Sequence, residues 1–153
     1  MEIRVREATN EDIPSLRKLC DVLGFYGEEH HLSQRLFTIR SLDYHNLLVS
    51  LNEKGSVTGF VHFFEAPSLL TVKTVEIGGL AVFKEQQRRG YGKSLMVAVE
   101  EWSINRNCKS ILLATNIIRE EAIDFYQSIG YQKEFQTYFM RKDVSGSPDS
   151  KLL

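Results

Sequence analysis

The chain has 153 residues, of which 42% are hydrophobic and 25% charged, with a net charge of −1. That length suits one domain with a core of its own, and that composition excludes collagen-like, disordered and membrane-embedded classes. Near-neutrality excludes a global attraction to nucleic acid or anionic lipid, so any bound anion must be captured locally.

Met1-Glu2-Ile3-Arg4-Val5-Arg6 alternates apolar and charged residues. It reads as a strand over residues 3–6, with no signal-peptide core, and no later apolar run reaches spanning length, so a cytoplasmic protein is expected. Thr9 and Asn10 offer helix caps, with Glu11 and Asp12 in the first turn. Ile13, Leu16, Leu19, Cys20 and Leu23 follow at helical spacing, and Gly24 ends the helix. Gly27, Glu28, Glu29, His30 and His31 read as a polar, acidic loop segment, in which Glu28 and Glu29 serve at least as well as a solvated helix start, before a second, shorter helix carrying Leu32, Leu36 and Ile39. Adjacent histidines in such a loop do not converge, so a metal or base reading is rejected in favour of solvated side chains.

Residues 46–51 and 57–64 read as strands around the turn Asn52-Glu53-Lys54-Gly55, with Val57, Gly59, Val61 and Phe63 on one face. Another strand spans residues 71–83 and holds Gly78-Gly79 in its middle, where glycine marks a bulge or a close backbone approach. After a basic turn, Leu95, Val99 and Trp102 define the stripe of a third helix. Residues 110–114 form a short, central strand. A fourth helix covers residues 120–129, Gly130 caps it, and residues 131–142 supply one or two final strands. Residues 143–153 are polar and expected to be disordered. Cys20 and Cys108 lack redox or metal spacing and read as inert packing. The expected class is α/β or α+β, one domain over residues 1–142, with helices on both faces of the sheet.

The segment Gln87-Arg88-Arg89-Gly90-Tyr91-Gly92 joins a strand to a helix. Two glycines let consecutive N–H groups converge, the helix start adds positive potential, and Arg88, Arg89 and Lys93 add cations. Together these suit a pyrophosphate, although a strand-to-helix turn uses glycine for its own reasons. The nucleotide P-loop ending matches at Gly92-Lys93-Ser94, but Gln87 stands where that motif needs its first glycine. The dinucleotide fingerprint fails at Leu95.

The same segment resembles the Arg/Gln-x-x-Gly-x-Gly/Ala signature of the GNAT-type N-acetyltransferase superfamily. Glu76-Ile77-Gly78-Gly79-Leu80-Ala81-Val82 resembles its bulged central strand. Asn116, Ala122, Phe125-Tyr126 and Gly130-Tyr131 resemble its closing motif. The likeness runs over residues 46–141, with Arg88 where many members carry glycine. It implies a mixed sheet of about six to seven strands, a splayed central pair and about four helices. It also implies acetyl-coenzyme A as cosubstrate, its pyrophosphate on Gln87, Arg88, Arg89, Gly90, Tyr91, Gly92 and Lys93. The pantetheine arm would lie along Leu80, Ala81 and Val82 and touch Asn116. Tyr126 would protonate the departing thiolate, and Glu76 would act as base through water. Glu28 and Glu29 would help attract a primary amine, in an acceptor resembling an aminoglycoside or polyamine. Protein lysines or N-termini are the alternative acceptors, and a coenzyme A-binding module without turnover is the alternative class. The family's frequent dimers make a homodimer an expectation; a metal, a nucleic acid or a membrane is not among the expected partners.

Overall fold

The computed structural model describes residues 2–146. The chain divides between Ala114 and Thr115 into two compact units. The first runs β1 (Arg4–Glu7), α1 (Ile13–Val22), α2 (Glu29–Arg40), β2 (His45–Leu51), β3 (Val57–Ala66), β4 (Thr74–Val82), α3 (Tyr91–Asn105) and β5 (Ser110–Leu112). The second holds α4 (Glu120–Ser128).

The strands lie in the order β1-β2-β3-β4-β5. The first four pair antiparallel, and β4 pairs parallel with β5. A parallel neighbour needs a crossover, and α3 supplies it. The N-terminal connection is pinned at Asp12, which is 5% exposed. Its carboxylate accepts from both Nη atoms of Arg6, at 2.8 and 2.9 Å, and from the Thr9 backbone N–H at 2.8 Å. Burial alone would raise the Asp12 pKa; the hydrogen bonds from Arg6 and Thr9 outweigh it and hold the carboxyl below its ordinary value.

Two apolar layers sandwich the sheet. On one face Ile13, Leu16 and Leu19 of α1 and Leu36 of α2 pack with Val49, Leu51, Phe60 and Ala81. On the other, Leu95, Met96 and Val99 of α3 are fully buried, and Phe63 meets the Trp102 ring edge-on at 5.2 Å. The expected alternation along β3 breaks at Val57, which packs with the α1–α2 layer. The register shifts between Ser50 and Leu51 of β2, leaving Thr58 as an extra residue, and one extra residue turns the following side chain to the other face.

Further expectations are corrected. The helix expected to be the shorter is α2, at 12 residues against 10 for α1. Glu28 stands at its N-cap and Glu29 opens its first turn, as the helix-start reading has it, while His30 and His31 lie in that turn rather than in a loop; acidic side chains there suit the positive helix end. The strand expected at the centre, β5, is the sheet's edge. Residues 131–142 form no strand among the described residues. A strand exists only through ladder bonds to a neighbour, and these residues are largely exposed, Tyr138 at 93%. Among the described residues the sheet therefore has five strands rather than six or seven. Cys20 and Cys108 are free thiols, each half-buried rather than fully enclosed.

In the second unit, Gly130 ends α4 in the left-handed region at φ +101°. Asp143 Oδ1 accepts from the N–H groups of Ser145 and Gly146, forming a tight turn. The rest of the expected disordered tail, 147–153, lies outside the described residues.

Candidate functional site

Strand β4 carries the bulge expected from its glycines. Against β3, His62 faces Gly79 while Phe63 faces Ile77, so Gly78 is the extra residue. The position demands glycine: a Cβ on Gly78 would stand 2.6 Å from His62 Nδ1. Gly79 is under less pressure, its Cβ position lying 3.6 Å from the Phe60 ring.

The other edge of β4 is open. Pairing with β5 covers only Thr74, Val75 and Glu76. From Ile77 to Val82 no strand among the described residues lies on that side. The Phe83 N–H donates to the Thr58 carbonyl at 3.0 Å. Antiparallel bonding alternates. Ala81 therefore turns its backbone groups toward β3, and Leu80 and Val82 turn theirs to the open edge. Gln87 Nε2 caps one of these, donating to the Val82 carbonyl at 3.0 Å.

That hydrogen bond ties the open edge to the basic loop. Arg88 and Gly90 both adopt left-handed backbone, at φ 61° and 89°. Gly90 is the N-cap of α3, which starts at Tyr91. The first N–H groups of a helix have no partner within it, so they and the helix dipole offer an anion site. Arg88, Arg89 and Lys93 are exposed, and none forms an ion pair among the described residues. Tyr91 is 5% exposed and anchors the helix start from below.

Glu76 faces Phe64 across β3, and Phe64 faces His45 on β2. Directly opposed residues share a face, so these three form one row on the α1–α2 side of the sheet. The expected inward carboxylate is thus on the α1–α2 side and half-buried. One row along, His62 Nε2 and His45 Nδ1 are 3.0 Å apart. Burial, and then the neighbouring His45 ring, lower the His62 pKa to about 4. Burial lowers His45 too. Sequence reading missed this pair. Two histidines on different strands carry no spacing signal, and only the register joins them.

Glu28 and Glu29 are exposed at the start of α2. Asn116 and Tyr126 belong to the second unit. Asn116 Oδ1 accepts from the Ile118 N–H, and the Asn116 carbonyl accepts from the Arg119 N–H, making the turn that leads to α4. Tyr126 lies on α4 with its ring 5.9 Å from that of Tyr131. Burial pushes its hydroxyl up to about 12, Arg119 pulling slightly the other way. The phenol is therefore protonated at neutral pH.

The model of the acetyltransferase (GNAT) family matches residues 11–131. The chain belongs to that family. The match takes in the bulged strand, the basic loop, α3 and α4, so the likeness seen in the sequence motifs is upheld. Acetyl transfer from acetyl-coenzyme A is the chemistry of the GNAT family, and this member carries its fold. A GNAT family acetyltransferase of Staphylococcus aureus is 26% identical, with a TM-score of 0.76 over 93% of this chain and 100% of that one. The aminoglycoside 6'-N-acetyltransferase AAC(6')-Ih of Acinetobacter baumannii shares the fold at a TM-score of 0.82 over 94% and 100% of the two chains, at 14% identity. Among curated proteins, N-acetyltransferase family 8 member 3 of Mus musculus is 27% identical over 71 residues, 46% of this chain and 31% of that protein. The chain thus spans about a third of the length of the curated relatives it matches. No helix among the described residues is long and apolar enough to cross a membrane.

Proposed function

We propose that this chain is an acetyl-coenzyme A-dependent N-acetyltransferase acting on a primary amine of a small, cationic acceptor, of the aminoglycoside or polyamine kind, from one domain over residues 1–142. The observation that carries the reading is the continuity of β4's open edge with the basic loop through Gln87 and Val82. An extended pantetheine arm can hydrogen-bond to Leu80 and Val82 beside Ala81 as a further strand would. The pyrophosphate then reaches Gln87, Arg88, Arg89, Gly90, Tyr91, Gly92 and Lys93, where unpaired N–H groups and cations converge. Asn116 contacts the arm by its place in the family's closing motif.

The amine attacks the thioester carbonyl directly. It must first lose a proton, because the ammonium has no lone pair. Glu76 draws the ammonium in and acts as base through water. Backbone N–H groups stabilise the oxyanion. The tetrahedral intermediate collapses with loss of the coenzyme A thiolate, which Tyr126 protonates; the nitrogen's second proton returns to the Tyr126 oxygen, whose high pKa draws it back. Glu28 and Glu29 favour a cationic acceptor, and a fold relative named as an aminoglycoside acetyltransferase supports the same class.

Thermal unfolding with acetyl-coenzyme A, coenzyme A, ATP and NAD tests the cosubstrate. At about a hundred times its dissociation constant a ligand adds about 2.7 kcal/mol. The expected result is a shift of several degrees with both coenzymes, little with ATP or NAD, and acetylation in an amine screen. A coenzyme shift without transfer to any amine or peptide would leave a binding module; no coenzyme shift would overturn the reading.

A further inference from the structure

The face of the sheet that carries Glu76 also carries a pair of imidazoles whose placement is unusual. His62 sits in β3, flanked by Leu47 of β2 and Gly79 of β4. Its Nδ1 lies against the Gly78 bulge, close enough that only glycine fits beneath it. Its Nε2 meets His45 Nδ1 at 3.0 Å. The His45 ring stacks on Phe64 at 4.8 Å and meets Tyr44 at 4.9 Å. His45 opens β2, beside Tyr44, which is 44% exposed. One end of the pair is thus at the β4 bulge and the other at the strand's solvent end.

A distance of 3.0 Å between two ring nitrogens requires one donor and one acceptor. Two charged rings cannot satisfy it, because each would present a hydrogen. The low pKa values of both rings agree with a neutral pair. For His62 Nδ1 no hydrogen-bond partner is found among the described residues, which leaves it available to a ligand or water.

Acetyl transfer to an ammonium at neutral pH has a proton balance. The ammonium and acetyl-coenzyme A give the amide, coenzyme A as thiol, and one proton. A carboxylate that keeps this proton is spent, so each turnover needs an exit. We infer that His62 and His45 form that exit, a two-imidazole relay leading the released proton from the β4 bulge to solvent. The inference rests on the acetyltransferase reading above and adds two residues to it.

Each step balances. In the receptive state His62 Nε2–H donates to His45 Nδ1, and the His62 Nδ1 lone pair is free. The proton arrives at Nδ1 through the water that serves Glu76. The Nε2 proton passes to His45 Nδ1, and the Nε2 proton of His45 leaves to solvent. Both rings end neutral with their protons moved one nitrogen along. Once the products have left and bulk water fills the site, His62 Nδ1 gives its proton to that water and His45 Nε2 takes one from solvent. The starting tautomers return with one proton delivered to bulk per turnover. No bond to carbon or sulfur is made, and no electron changes owner. Neutral imidazoles suit such a transfer, since a ring already charged could not accept, and a ring of low pKa does not hold the proton it receives.

The test uses the full chain, acetyl-coenzyme A and a panel of spermidine, kanamycin A and an N-terminally free peptide. In His62→Gln and His45→Gln the expected result is a fall in kcat of about 10- to 100-fold. KM for acetyl-coenzyme A and its thermal shift should stay near wild type, and added imidazole should restore part of kcat in His62→Gln. A merely structural pair would lower stability without a kcat effect that imidazole rescues. If the wild type transfers acetyl and neither variant loses kcat, the relay is overturned while the enzyme reading stands. If the wild type transfers to nothing, both fall. Should His62→Gln fail to fold, His45→Gln at the exposed end carries the kinetic test. Nitrogen NMR of labelled histidines in the native chain gives a second measurement: both rings must be neutral at pH 7, and a charged His62 overturns the relay.

Discussion

Gly78 and His62 occupy each other's space: a single carbon added to the glycine would stand 2.6 Å from the imidazole Nδ1. The bulge of β4 and the placing of the histidine are therefore one feature. Without a bulge, residue 78 would fall opposite a residue of β3. Without glycine, the ring could not lie where it meets His45.

Gly78→Ala should displace the His62 ring and cost about 1–3 kcal/mol, the range for overpacking a close contact. Gly79→Ala is the control, since its added carbon meets Phe60 only at ordinary contact distance, 3.6 Å. Thermal unfolding of the two variants should differ by several degrees in that order. Equal melting points would contradict the close approach.

Stability should fall between pH 6.5 and 4. Burial, with His45 adding to it, lowers the His62 pKa from 6.5 to about 4. The folded pKa is the lower one, so the unfolded chain takes up the proton first as pH drops. The contribution is complete above 6.5, declines as pH falls, and levels off below about 4. Its size by pH 5 is about 1–2 kcal/mol, allowing for partial exposure. His62→Gln should flatten that part of the stability–pH curve, and an unchanged slope would refute the assignment.

Arg88 holds a left-handed backbone at φ 61° that glycine adopts without strain. Arg88→Gly should relieve the strain and raise stability by about 0.5–1 kcal/mol, less what the freer unfolded chain takes back. It also removes a cation from the proposed pyrophosphate loop, so the KM for acetyl-coenzyme A should rise a few-fold. Chemical denaturation and steady-state kinetics would show the two effects moving in opposite senses.

Tyr126→Phe removes the proposed proton donor and leaves the ring. We expect kcat to fall about 10- to 100-fold with acetyl-coenzyme A affinity unchanged. Because burial holds the hydroxyl near 12, wild-type activity should show no loss attributable to Tyr126 ionisation up to about pH 10. A variant with undiminished kcat would remove Tyr126 from the chemistry.

Much of the backbone around the proposed site was legible in the sequence because it is local. Gly90 and the residues after it make a loop and a helix start whatever surrounds them, and the α1 stripe repeats within a few turns. Glu76-Ile77-Gly78-Gly79 announces a bulge because glycine is out of place inside a strand. Glu28 and Glu29 left two readings open, because an acidic run suits a loop and a helix start equally well, and the helix start is the one that forms.

Other features depend on partners distant in the chain. Residues 131–142 have strand-like composition, but no ladder forms among the described residues, and β5 is left at the edge. Val57 changed face because the β2–β3 register slips, which its neighbours in sequence do not encode. His45 and His62 meet because two strands pair in one register out of several, and a slip of one residue would send them to opposite faces. Adjacent residues largely dictate the helices, the place of the bulge and the basic loop. The sheet order, the open edge of β4 and the imidazole pair arise from pairing between segments, whose energy no short stretch of sequence contains.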